Sequence, residues 1–255
     1  MSPTKTWRPP PGGWLPRCDV RRCIAEGVPC CRSHSCMAPH RPERRPPDLQ
    51  LMSAADLLKP EARELAAIYE SSFGQEEREP TRTLLSNMAA ENRSCYIAKS
   101  NGHVAAFAVV RALPCSVGFL EYFAVADDLR AQGIGGSLLP YVLREVRAAA
   151  SDGLIFEVDD PDGSEGHEEW IRLARIRFYR RHGADVVRCA PSYQAPSSNS
   201  LTRIHYLLMW IPLARGLTEL SGEMLRMCVR EMLVFGYGLT DGDPLVGNVL
   251  QGLKC

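Results

Sequence analysis

Residues Gly133-Ile134-Gly135-Gly136 put three glycines where an apolar, strand-like run gives way to a helix-like one. Glycines at a helix start let the backbone come within hydrogen-bond distance of an anion, and the helix N-terminus offers unpaired N–H groups with a partial positive charge. Such a turn suits a pyrophosphate. Two nucleotide patterns are excluded by spacing. The P-loop ends in Gly-Lys-Ser/Thr, and the dinucleotide fingerprint needs a third glycine or alanine where this chain has Leu138. Taken alone, Gly133 and Gly135 fit a plain tight turn as well as an anion cradle.

Glu121 is the only carboxylate in residues 118–126, which otherwise read as a central strand. A charge there is costly unless partnered or used, which leaves three roles open: general base, substrate anchor or structural ion pair. Residues 157–169 carry seven carboxylates and no Lys or Arg, with Glu157 and Asp159 at their head. As a loop at the mouth of a site, they would attract a cationic acceptor such as a polyamine, an aminoglycoside or a lysine side chain. Alternatively, the arginines that follow at positions 172, 175, 177, 180 and 181 simply neutralise them. A third cluster, Cys18, Cys23, Cys30, Cys31 and Cys36 beside His34 and His40, raises a zinc site. Its pairs have wide spacing and hardly any apolar filling, so residues 1–50 read as a disordered Pro/Arg/Cys-rich extension, with metal binding as the alternative. Met52 is a candidate natural start. The other cysteines read as small buried apolar side chains in a reducing compartment.

Stepping outward along the chain, the periodicities predict helices over 53–73 and 81–89, the first opened by a capping-box-like Ser53 to Asp56. Strand-like runs 95–98 and 104–110 flank Asn101-Gly102, a pair suited to a two-residue hairpin turn. A strand over 118–126 leads through the glycines into a helix whose Leu139, Val142, Leu143 and Val146 keep a 3.6 period. Strands at 153–158, 184–187 and 204–211, a helix at 168–182, a helix at 218–235 and a Gly/Asp-rich tail complete the order.

The chain has 255 residues, 45% of them hydrophobic, enough for one sizeable core. Thirty Lys and Arg balance thirty Asp and Glu, so no global field draws it to nucleic acid or an anionic membrane. The balance is uneven, with nine Lys/Arg against four Asp/Glu in residues 1–50, and ten of the nineteen prolines fall there too. No apolar run reaches the length of a membrane span, and no secretory signal is evident. The expected location is cytoplasmic.

Arg130-Ala131-Gln132-Gly133-Ile134-Gly135 resembles the (Arg/Gln)-x-x-Gly-x-(Gly/Ala) signature of the GNAT superfamily of N-acetyltransferases, and it lies between a strand and a helix, as in that family. The segments Phe119-Leu-Glu-Tyr-Phe-Ala-Val125 and Arg177-Phe-Tyr-Arg-Arg-His-Gly-Ala184 add to the likeness, as does Ile68-Tyr-Glu-Ser-Ser-Phe73. Together they cover roughly residues 53–212. The resemblance implies an α/β (α+β) fold whose mostly antiparallel sheet splays between strands 4 and 5, with helices on both faces. The expected domains are a GNAT domain over 51–215 and a packed C-terminal helix and tail over 216–255. Acetyl-CoA would be the co-substrate, and no metal is expected. Gln132, Gly133, Ile134, Gly135, Gly136 and Ser137 would cradle its pyrophosphate through backbone N–H groups, and Arg130 would add a charge. Phe123 and Val125 would pair with the pantetheine amides, the Val125 N–H doubling as oxyanion donor.

Forming an amide requires a base for the ammonium, donors for the oxyanion and an acid for the departing thiolate. On the family's pattern Tyr179 is the acid and Glu121 the base, and Phe73, Glu157 and Asp159 are candidate substrate contacts. The expected activity is acetyl transfer to a primary amine, small molecule or protein, by direct attack through a tetrahedral intermediate. The protein would be a monomer or homodimer without nucleic-acid or membrane partners. A non-catalytic acyl-CoA-binding regulatory module is the alternative.

Overall fold

The computed structural model describes residues 49–254, apart from 55, 56, 58, 89, 91, 150, 198–201 and 221. The expectations for the head and its Cys/His cluster lie outside the described residues. Edge pairing, not helix capping, claims the first described segment: Ser53 pairs with Tyr96 as β1 (Gln50–Ser53) lies antiparallel on β2. The first helix, α1 (Lys59–Ser72), therefore starts later than expected, with Pro60 in its first turn, where a missing N–H costs nothing. A short α2 (Thr81–Ser86) follows Pro80.

Alternating apolar residues then form the hairpin of β2 (Arg93–Ser100) and β3 (His103–Leu113). Asn101 and Gly102 turn it with φ of 52° and 83°, the mirror-image geometry that suits the strand twist. The next strand, β4 (Val117–Val125), lies antiparallel on β3. After a 3-10 turn at Asp127–Leu129 comes α3 (Ile134–Ala148), then β5 (Gly153–Asp159), α4 (Gly166–Arg181), β6 (Asp185–Val186), β7 (Gln194–Pro196) and β8 (Arg203–Pro212). The sheet order is β1-β2-β3-β4-β5-β8-β6, with β7 also on β8.

One junction in this sheet is parallel and brief. Val117, Gly118 and Phe119 of β4 pair with Gly153, Leu154 and Ile155 of β5, and beyond them the strands part. On its other edge β5 stays paired with β8 along its whole length, Gly153–Asp159. Gly153 is required at this crossing, because a Cβ there would stand 2.0 Å from Cη2 of Trp210.

Two apolar cores flank the parting strands. Leu65, Ile68, Tyr69, Leu84 and Phe107 pack under α1 and α2. Phe119, Ile155, Leu208 and Trp210 pack with Leu225, Met232 and Val249 from the end of the chain. That end holds α5 (Gly222–Glu231), a π-helical turn at Met232–Gly236 and α6 (Pro244–Gln251). The sequence pattern suggested one helix and a tail. The second helix is started by Asp243, whose side chain accepts the Leu245 N–H at 2.8 Å, and by Pro244 in the first turn. Cys95 and Cys228 are buried free thiols, as read from the sequence, whereas Cys189 is in a disulfide. No helix among the described residues is long and apolar enough to cross a membrane.

Candidate active site

The parting of β4 from β5 leaves one edge of each strand open. Ala126 donates its N–H to Ala105 O on the β3 side at 2.9 Å. Peptide groups alternate along a strand, so Val125 and Phe123 turn theirs toward the open edge. Both residues line a cleft of about 980 Å³, together with Arg130, Gln132, Gly133, Ile134, Gly135 and Gly136. Gly133 is the N-cap of α3 with φ of 84°, a left-handed backbone that an L side chain adopts only at a cost. A Cβ on Gly135 would occupy the floor of the cleft, 3.4 Å from Cγ2 of Val125 and 3.5 Å from Cε1 of Phe123. Free N–H groups, a helix start and a side-chain-free floor fit an elongated ligand with an anionic group at one end.

Two loop residues differ from their sequence reading. Ser137 already donates its N–H to Gly133 O at 3.0 Å, inside the first helical turn, and does not line the cleft. The Arg130 guanidinium meets Asp127 at 2.6 Å and donates to Val125 O at 3.3 Å, so part of its charge is already engaged.

Tyr179 lines the same cleft from α4, with its ring 4.4 Å from that of Phe156 and 6.2 Å from that of Phe123. Burial pushes its phenol up to about 12, against a smaller opposing pull from Arg175. The group is therefore a neutral donor at physiological pH.

A second cavity of about 560 Å³ opens on the other side of the splay, and Phe73, Leu120, Glu121, Glu157 and Arg175 border both spaces. The two carboxylates at this junction have unlike surroundings. Glu121 occupies a β-bulge: Leu120 pairs with Val110 and Tyr122 with Val109, leaving Glu121 between them without a partner of its own. Its Oε2 accepts from Arg93 Nε and its Oε1 from Arg111 Nε, both at 2.6 Å. Arg93, itself buried, also donates to Glu79 at 2.5 Å. Of the three roles open to Glu121, the geometry is that of the ion pair: both oxygens are held by guanidiniums, and accepting a proton would mean giving one up.

Glu157, on β5, forms no ion pair with a cation among the described residues, and its partners are phenols. Tyr193 donates its hydroxyl to Oε1 at 2.5 Å and Tyr237 to Oε2 at 2.6 Å. Desolvation pushes the carboxyl up to about 7, opposed by the two tyrosine hydrogen bonds and assisted by the nearby charge of Glu121. A carboxyl raised toward neutrality is suited to act as a base, and no sequence signal marked Glu157 for that role.

The acidic run divides. Arg175 pairs with Asp159, while Arg172 pairs with Glu168 at 2.5 Å and donates to Asp160 O at 2.6 Å. Two of the five arginines of α4 thus fold back on the run and pair with two of its seven carboxylates, so neutralisation is partial. Asp159 still lines the second cavity, as does Phe73, whose ring lies 5.1 Å from that of Tyr122. Arg93, Arg111, Tyr193, Tyr206 and Tyr237 reach the site unforeseen. Only the arginines had a signal in the sequence, being apolar-strand cations that need an anion.

Residues 62–184 match the model of the Acetyltransferase (GNAT) family. Among solved structures, a GNAT-family acetyltransferase from Bacteroides thetaiotaomicron aligns at 18% identity and a TM-score of 0.58, over 75% of this chain and 99% of that one. Ard1 from Thermoplasma volcanium aligns at 18% identity and 0.50, over 66% and 99%. An aminoglycoside 6′-N-acetyltransferase complexed with coenzyme A aligns at 14% identity and 0.51, over 66% and 99%. At these identities the likeness is one of fold. No curated protein sequence matches the chain.

Proposed function

We propose, for a chain whose residues 62–184 belong to the GNAT acetyltransferases and which is an acyltransferase, that the amine acceptor enters through the 560 Å³ cavity and meets acetyl-CoA at Glu157. The supporting observation is the meeting of two cavities at the β4–β5 parting, with a carboxylate at the junction that forms no ion pair among the described residues. The family uses acetyl-CoA, which supplies the acetyl thioester. The N–H groups of Gln132 to Gly136 would hold its pyrophosphate, and the open peptide edge of Phe123 and Val125 its pantetheine arm. That strand edge and side-chain-free floor are what the ligand needs.

The remaining roles fall to side chains of this chain. Glu157 takes the proton from the acceptor ammonium, directly or through water, because burial raises its carboxyl to about 7 and it has no ion-pair partner among the described residues to surrender. The Val125 N–H, turned to the cleft, donates to the developing oxyanion. Tyr179, a neutral phenol on the cofactor side, protonates the departing thiolate. Glu121 keeps β2, β3 and β4 in register around Arg93 and Arg111.

Thiol release from acetyl-CoA, measured with a panel of primary amines (an amino sugar, a diamine, a lysine amide and an N-terminal peptide amine), tests this reading. Acceptor-dependent release is expected, together with a CoA-induced rise in melting temperature that Gly135→Glu abolishes. Unchanged CoA affinity in Gly135→Glu would remove the cofactor assignment.

A further inference from the structure

The matched family stretch ends at residue 184, yet Tyr193 and Tyr237 both lie beyond it and close on a single side chain within it. They come from separate parts of the chain, 36 and 80 residues after Glu157, and take one carboxylate oxygen each. Tyr193 is fully buried in the loop that precedes β7, and its backbone O accepts the N–H of Tyr206 on β8. Tyr237 follows the π-helical turn, and the backbone there is set by close contact: a Cβ on Gly236 would be 2.8 Å from Cε1 of Phe119. The Tyr237 ring itself rests on Phe119, with centroids 6.5 Å apart. The π-turn at the end of α5 thus leads the chain to a phenol whose hydroxyl reaches Glu157 on β5.

We propose that the C-terminal segment is part of the catalytic apparatus, with Tyr193 and Tyr237 as positioning residues that clamp the Glu157 carboxylate for proton transfer from the acceptor. This rests on the reading of Glu157 as the base. Two donors on two oxygens fix the plane of the carboxylate and leave each oxygen one lone pair for the acceptor. They also stabilise the ionised form that burial disfavours, so the clamp holds the group near half-ionisation where burial alone would keep it protonated. The other charged and titratable groups facing Glu157 do not replace the tyrosines. Glu121 on β4 is bound by Arg93 and Arg111, and Arg175 on α4 is bound by Asp159. Tyr206 on β8 donates away, to Glu77 in the loop before α2, at 3.1 Å. Both phenols of the clamp are pushed well above the ordinary tyrosine range by burial and by Glu157, so they remain donors throughout the working pH range.

The test is direct titration of Glu157 in the full chain, carrying glutamate labelled with ¹³C at the side-chain carboxyl, with the resonance assigned by its loss in Glu157→Gln. The wild-type midpoint is expected at about 7. Tyr237→Phe and Tyr193→Phe should each move it upward by about one pH unit, tenfold in proton affinity, since a hydrogen bond to a charged group is lost. CoA affinity should stay constant, because neither tyrosine lines the cofactor cleft. Should the phenylalanine variants fail to fold, 3-fluorotyrosine placed at position 237 alone is a stronger donor and should lower the midpoint. An unmoved midpoint overturns the clamp. Midpoints that move while Glu157→Gln releases thiol from the amine panel at the wild-type rate overturn the base reading, and with it the clamp's catalytic meaning.

Discussion

Replacing Glu121 by Gln would leave Arg93 and Arg111 facing each other across paired strands with a neutral side chain between them. Removing one partner of a buried cluster costs about 3 kcal/mol, so the denaturant midpoint of Glu121→Gln should fall accordingly. Thiol release by the folded variant should survive. If activity disappears while stability does not change, Glu121 is the base after all. Tyr179→Phe keeps the ring against Phe156 and removes only the hydroxyl; kcat should fall roughly 10²-fold, with CoA affinity altered by less than about 1 kcal/mol. Glu157 gives a pH dependence of known sign, because its carboxyl is raised from 4.5 to about 7 in the folded state. Below the lower value both folded and unfolded chains are protonated there, and no penalty exists. As pH rises through the window, the unfolded chain ionises first and the folded state loses relative stability, completely so above about 7. Glu157→Gln does not titrate, so its stability relative to wild type should climb across that window by about 1–3 kcal/mol, allowing for partial access to the cleft. A flat difference across that pH range would contradict the burial of this charge.

At the scale of elements, the β4–β5 crossing depends on Gly153, above which Trp210 leaves no space. Gly153→Ala must displace the indole or the strand, and a loss of about 3 kcal/mol is expected in chemical denaturation, as for other overpacked core sites. Unchanged stability would mean that the crossing yields more easily than its geometry implies. Elements with a local signal were legible in the sequence. Asn101-Gly102 announced the hairpin, and Arg130 to Gly135 announced both the turn and the fold around it. Ser53 misled, because its capping pattern is local whereas its pairing with Tyr96 is not. The π-turn at Met232–Gly236 extends an apolar stripe without interrupting it, so residues 218–235 read as one helix. Glu157 was legible as the head of an acidic run, but the two phenols that hold its carboxylate were not. Tyr193 and Tyr237 lie far along the chain, and no periodicity connects them to it.

At the scale of the whole molecule, one core among the described residues lies under α1 and α2 and another is built largely by the C-terminal elements α5 and α6. β4 contributes Ala124 to the first and Phe119 to the second, on opposite sides of the bulge at Glu121. A truncation before α5 would therefore strip half of a core, not a peripheral appendage. The three-residue contact of β4 with β5 leaves the sheet, in effect, one strand short beyond Phe119 and Ile155. An extended ligand with amides of its own can stand in for that strand. Deuterium uptake at the amides of Phe123 and Val125 should then be fast in the free protein and slow when CoA is present, while β2 and β3 exchange slowly in both. Equal uptake with and without CoA would mean that the ligand lies elsewhere. With the protected outcome, the cofactor would serve the protein as a removable piece of secondary structure, and each catalytic cycle would open and mend a seam in its sheet.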